Sequence, residues 1–175
     1  MDELQRKSVD EFRQSEKRPI IVVLENIRSA YNVGSVFRTA DAFLIEAIYI
    51  CGYTATPPHK EITKTALDAQ FSVSWQHFHD TASAILKLKQ KGFQVYAIEQ
   101  VEGSISLESF DQIAHEKVAF IFGNEVKGVE QHTIFASDGS IEIPQFGIKH
   151  SLNISVAAGI VLWESVKKFV PAVAR

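Results

Sequence analysis

An α/β fold on a largely parallel sheet is the expectation for this 175-residue chain, and three observations carry it. Short apolar segments rich in β-branched residues alternate with segments of helical periodicity, the pattern of parallel strands joined by crossover helices. The first apolar segment, IIVVLEN at 20–26, runs without polar alternation, as a strand covered on both faces does. Hydrophobic residues make up 46% and charged residues 22%, which suits one globular domain large enough to enclose a core.

The elements follow in order. Residues 1–19 read as a polar arm or helix ended by Pro19, ahead of a single domain over 20–175. After the first strand, apolar side chains at 33, 36, 37, 40 and 44 form one stripe of a helix. IEAIYICG (45–52) is a second strand closed by Gly52. YTATPPHKE is a loop, because Pro57 and Pro58 do not fit inside an element, and a short helix fits 60–70. FSVSWQHF (71–78) alternates enough for a third strand, and TASAILKLKQKG (81–92) is a helix stopped by Gly92. FQVYAIEQ (93–100), KVAFIFGNE (117–125, ending at Gly123) and DGSIEIPQ (138–145) supply three more strands. The last helix covers 152–169. Its LNISVAAGIVLW stretch is apolar on nearly every side, so it is expected to be buried, in part against a second copy of the chain.

Composition removes several function classes. Cys51 is the single cysteine, so no disulfide can form within the chain. No pair of histidines has metal-ligand spacing, and no metal is expected. The first 19 residues lack the apolar core of a signal peptide, and no apolar run reaches the roughly 18 residues of a membrane span. A cytoplasmic protein without a membrane partner is therefore expected. A net charge of −3 argues against indiscriminate coating of nucleic acid while leaving room for a local basic patch.

Ligands of open parallel sheets collect beyond the carboxyl ends of the strands, and three such segments hold polar residues that no solvated helix face explains. In NIRSAYNVGSVFRTAD (26–41), Asn32 stands where an N-cap is expected. Gly34 and Arg38 lie one turn apart, with Gly34 leaving space above the guanidinium. An ordinary cap beside a solvated arginine would read the same. In GNEVKGVE (123–130) two glycines frame four residues, but the Lys and Ser/Thr of a phosphate-binding loop are absent, and no GxGxxG follows any strand. Gly123 then closes a strand, with Asn124 and Glu125 near a helix start, where a plain turn would serve equally. PQFGIKHSLN (144–153) puts Ser151 and Asn153 at a helix start, Ser151 as a plausible cap. No G-x-S-x-G surrounds Ser151, and neighbouring His150 points elsewhere, so a hydrolase reading falls.

Together and in this order, NIRSAYNVGSVFRTADAF, FIFGNEVKGVE and IEIPQFGIKHSLNISVAAGIVLWE resemble the three motifs of the SpoU/TrmH family of the SPOUT superfamily, RNA ribose 2′-O-methyltransferases that use S-adenosylmethionine. The resemblance spans 26–164. It implies a Rossmann-like sheet with a C-terminal deep trefoil knot, 144–153 as the knotted cofactor loop, and a homodimer. Residue by residue, it implies Arg38 as the catalytic arginine with Asn32 in the same site, and Glu125 holding that arginine. It implies Ser151 and Asn153 beside the reacting ribose, and Gly123, Ile143 and Leu152 on the cofactor through backbone groups. Arg28, Lys60, Lys64, Lys127 and Lys149 are the candidates for RNA contact, and 52–67 is a segment placed to shape substrate choice. Many rRNA-modifying relatives carry a separate N-terminal RNA-binding domain, whereas here about 19 polar residues precede the first strand. tRNA is therefore the expected substrate; the same chemistry on rRNA and a catalytically silent RNA-binding module are the alternatives.

Overall fold

Strand β1 (Arg18–Glu25) is the spine of the sheet, with Ile20 through Glu25 all buried. Its Ile20, Val22 and Leu24 face one apolar cluster and its Ile21 and Val23 another, so the uninterrupted run is explained by cover on both sides. The computed structural model describes residues 8–109, 117–148 and 151–167. Within them β1 is joined by β2 (Ile45–Cys51), β3 (Ser74–Phe78), β4 (Gln94–Ile98), β5 (Ile105–Ser106), β6 (Val118–Phe122) and β7 (Gly139–Glu142). They form one sheet in the order β3-β2-β1-β6-β4-β7-β5, and every pairing is parallel.

The helices are α1 (Val9–Gln14), α2 (Ala30–Ala42), α3 (Lys60–Ala66), α4 (Ala69–Ser72), α5 (Thr81–Gln90), α6 (Gln131–Ala136) and α7 (Ile154–Val166). Helices α2, α3 and α7 cover one face of the sheet, while α5 covers the other with α6 against it. β1 and β6 are adjacent, yet β1 is followed by α2 on one face and β6 by α6 on the other. The two connections leave the carboxyl edge in opposite directions and open a crevice between them, the place where such sheets bind ligands.

Several local expectations are corrected. The helix after β1 begins at Ala30, capped by Ser29, so Asn32 is its third residue and not its cap. Gly34 does not leave space above Arg38. A Cβ there would stand 2.0 Å from Thr65 Oγ1 and 2.5 Å from the Ile62 carbonyl oxygen, so the glycine lets α3 pack directly on α2. The single helix over 60–70 is two, because Leu67 and Asp68 adopt left-handed backbone angles between α3 and α4. The third strand starts at Ser74, since Ser72 donates to Asp41 Oδ1 and to the Ala69 carbonyl and ends α4 there. The amino-terminal arm is docked: Phe12 of α1 belongs to the core. Within a single chain helix α7 is buried along one side, which leaves its other side for the expected contact with a second copy. Ile154, Ala158, Val161, Leu162, Ser165 and Val166 are buried, whereas Leu152 just before it and Val156, Ile160 and Trp163 form an exposed stripe.

Cys51, at the end of β2, is fully buried. Burial pushes its thiol up to about 12, with Glu25 and Asp80 adding to the rise and a hydrogen bond to Thr81 opposing it. The thiolate is the reactive form, so the native protein at pH 8 should resist a neutral alkylating reagent and label only on unfolding. Rapid labelling of the folded chain, followed by mass spectrometry, would contradict this burial.

Candidate functional site

The turn after β6 is built first. Gly123 leaves the strand where a Cβ would strike the Gly128 and Val129 backbone at 2.2 Å, so only glycine allows the chain to fold back this tightly. Asn124 and Gly128 then exchange backbone hydrogen bonds at 3.0 and 2.8 Å. The Asn124 side chain accepts from the N–H groups of Val126 and Lys127 and donates to the Asn26 carbonyl and the Tyr53 hydroxyl, both at 2.8 Å. This buried amide ties the ends of β1, β2 and β6 together. Glu25, buried at the end of β1, accepts from the Glu130 N–H at 2.8 Å and from the Thr133 hydroxyl, fixing the start of α6.

On that frame Glu125 reaches the amino end of α2. Its Oε2 accepts from the Arg28 N–H at 2.9 Å. Its Oε1 accepts from the Ser29 N–H at 3.1 Å and from Asn32 Nδ2 at 3.0 Å. The carboxylate meets the positive end of a thirteen-residue helix, a favourable electrostatic position. Partial burial pulls its pKa upward, but hydrogen bonds from the Arg28 N–H, its own N–H, the Asn32 amide and the Ser29 N–H prevail, and Glu125 titrates below its ordinary value. Asn32 in turn accepts at Oδ1 from Asn153 Nδ2, 3.2 Å away. Asn153, not Ser151, caps α7, accepting from the Ser155 N–H at 2.9 Å and the Ser155 hydroxyl at 2.7 Å. One residue from each of the three strand-end segments thus enters a single chain of hydrogen bonds.

Beside this chain lies a cavity of about 290 Å³ between the ends of β4, β6 and β7 and the start of α7. Gly123, Glu125, Ile143, Ser151, Leu152 and Lys127 line it, together with Glu99 and Gln100 after β4 and Glu142 at the end of β7. Glu99 and Gln100 went unnoticed in the sequence reading. The strand-end rule applied to the fourth strand, with the Gly103 turn that follows it, would have found them.

Arg38 does not line the cavity. It stands exposed on α2 and takes no contact from Glu125, which is committed to the Arg28–Ser29 turn and Asn32. The side-chain cations of Arg28, Arg38, Lys60, Lys64 and Lys127 take no hydrogen bond or ion pair from the described residues. By contrast Arg13, Lys87, Lys89 and Lys117, remote from this edge, are all engaged. Lys149 lies outside the described residues. Among the described residues no group of three His, Cys, Asp or Glu side chains is placed to hold a metal, and no helix is long and apolar enough to cross a membrane.

The chain is similar to known proteins over most of its length. Residues 19–163 match the model of the SpoU rRNA Methylase family. The tRNA (guanosine(18)-2′-O)-methyltransferase of Thermus thermophilus is 29% identical over 167 residues, covering 95% of this chain and 84% of that one. The crystal structure of the A. aeolicus TrmH/SpoU tRNA modifying enzyme superposes with a TM-score of 0.77 at 25% identity, over 90% of this chain and 80% of that one. An AdoMet-bound rRNA methyltransferase from Sinorhizobium meliloti gives 0.79 at 27% identity, over 95% and 62%.

The clamp has a measurable pH signature. Glu125→Gln cannot accept from all three donors, because its amide NH₂ faces one of them. A loss of about 1–3 kcal/mol is expected at pH 7 by denaturant unfolding. Because the folded-state pKa is depressed, this stabilisation is complete above the ordinary glutamate value of about 4.3 and is lost as pH falls through the folded value. The gap between wild type and variant should therefore close in acid. A gap unchanged between neutral pH and the acid limit of folding would show that the turn does not depend on the charge.

Proposed function

The chain belongs to the SpoU rRNA Methylase family, and on that footing we propose that it transfers a methyl group from S-adenosylmethionine to a ribose 2′-hydroxyl of tRNA. The observation that carries the reading is the Glu125–Asn32–Asn153 hydrogen-bond chain beside the cavity. The cavity suits the cofactor chemically. Its volume is near the lower end of small-molecule sites, roughly 300–1,000 Å³. Ile98, Phe122, Ile143 and Leu152 offer apolar walls for a purine, and Glu99, Glu125 and Glu142 favour a cationic ligand over an anionic one. Gly123, Ile143 and Leu152 would hold the cofactor through backbone groups.

S-adenosylmethionine, when bound, supplies a methyl group made electrophilic by its sulfonium. The protein must bring a hydroxyl in line with that carbon, and much of the rate can come from such positioning. Ser151, on the cavity wall, and Asn153, at the head of α7, are the polar groups beside it for orienting a ribose. Glu125 is a poor base at neutral pH, since its donors hold it as a stable carboxylate. Arg38 offers a planar guanidinium with five N–H donors. Its free fork suits a phosphate next to the target ribose, where its charge also steadies the alkoxide that develops as the hydroxyl proton passes to solvent water and the methyl leaves S-adenosylhomocysteine behind. The unpaired cations Arg28, Lys60, Lys64 and Lys127 form the local basic patch for RNA that a net charge of −3 permits.

The assembly we propose is a homodimer of single-domain chains, 20–175 forming the methyltransferase unit, in the cytoplasm. The exposed stripe Leu152, Val156, Ile160 and Trp163, with Phe43 packed on Trp163 at 6.0 Å between rings, supports a self-contact through α7. β4 and β6 stand between β7 and β1 in the sheet while α7 packs on α2, which supports our reading of 144–153 as a threaded cofactor loop. The Thermus and A. aeolicus relatives, tRNA enzymes by name, favour tRNA as substrate.

The test is transfer of labelled methyl from S-adenosylmethionine into separated, unmodified tRNA and rRNA. Wild type should label tRNA, and Arg38→Ala should lower kcat/KM by about 10²–10³. Arg38→Lys keeps the charge and loses the fork, so it should also fall well below wild type; a near-normal rate would remove the fork from the mechanism. Label in rRNA alone would move the substrate. No label in either, with S-adenosylhomocysteine still bound, would mark a binding module.

A further inference from the structure

Tyr31 is a large aromatic side chain left 41% exposed on the first turn of α2, beside the clamp. Seven residues separate it from Arg38, so the two lie on one helix face two turns apart. Lys64 Nζ hangs 5.7 Å from the Tyr31 ring centre, at the outer limit of a cation–π contact, and has no acidic partner. The backbone under the ring is fixed. Thr65 Oγ1 donates to the Tyr31 carbonyl at 2.9 Å, and the close approach at Gly34 sets α3 against α2. An exposed aromatic ring on a fixed backbone, with Lys64 beside it and Arg38 two turns along the same face, therefore opens to solvent beside the clamp.

We propose that Tyr31 is a stacking platform for an unpaired base adjacent to the methylated nucleotide, with Lys64 and Arg38 on its flanking phosphates; this rests on the RNA reading above. Stacking on a base is stronger than the long contact with Lys64, so an arriving base displaces the ammonium onto the phosphate. Every base has a π-face, so the platform selects for strand state rather than sequence. The substrate class is accordingly a loop or other single-stranded segment, and a target nucleotide inside a continuous duplex is excluded.

Steady-state methylation of RNA with Tyr31→Ala, Tyr31→Phe and Tyr31→Trp tests this, with oligomeric state measured for each. Tyr31→Ala should raise the KM for RNA about tenfold with little change in kcat or in S-adenosylhomocysteine affinity, and phenylalanine or tryptophan should restore it. An unchanged KM in Tyr31→Ala would overturn the platform. So would a phenylalanine variant as weak as alanine, which would assign the hydroxyl and not the ring, or a change in oligomeric state, which would assign Tyr31 to a self-contact. A wild type that methylates no RNA would overturn the RNA reading itself, a result no Tyr31 variant is needed to see.

Discussion

Glu125 is the residue through which the turn after β6 and the helix after β1 hold each other. Its two oxygens close on two backbone N–H groups and an amide that belong to a segment almost a hundred residues earlier in the chain. Without that carboxylate, the Arg28 and Ser29 N–H groups just before α2 would face the crevice with no side chain to receive them. With it, Asn32 is oriented, Asn153 finds Asn32, and α7 is capped where the cavity begins. The cavity is thus a consequence of how two diverging connections are pinned.

That pinning works because the sheet beneath it is rigid. Val22, Val23 and Leu24 of β1 stand opposite Phe120, Ile121 and Phe122 of β6, all buried. Each such side chain contributes about 1.5–3 kcal/mol of burial. The paired strands deliver Glu25 and Gly123 side by side at the carboxyl edge, so the polar contacts above them need only short reaches. Chemistry is concentrated where the apolar registration ends. Among the described residues, the free cations lie at this same edge and along α2 and α3, while Arg13, Lys87, Lys89 and Lys117 elsewhere are engaged internally.

Much of this was legible in the residues. The α/β class followed from the uninterrupted run at 20–26 and its successors, because burial on both faces forbids alternation. The three strand-end segments were legible because small polar residues there had no other face to serve. What could not be read was which neighbour each polar group would choose. Asn32 looked like a cap, yet Ser29 takes that place; cap preference does not distinguish two residues three apart when both can accept an N–H. Glu125 was expected at Arg38, but the backbone donors of Arg28 and Ser29 are pairings that no side-chain pattern advertises. Gly34 looked like room for an arginine because α3, which fills the room, lies far along the chain. The 60–70 helix and the strand at 71–78 went astray for a similar reason: Leu67 and Asp68 take a left-handed conformation that composition does not announce.

The central claim is that this clamped edge directs a methyl group to a ribose oxygen. It is tested most directly by digesting the methylated RNA product to nucleosides and locating the new methyl by mass spectrometry. The account predicts fragmentation in which the added mass stays with the sugar. A methyl carried on the base would contradict it, because the site would then be presenting a ring nitrogen or carbon and not the 2′-hydroxyl.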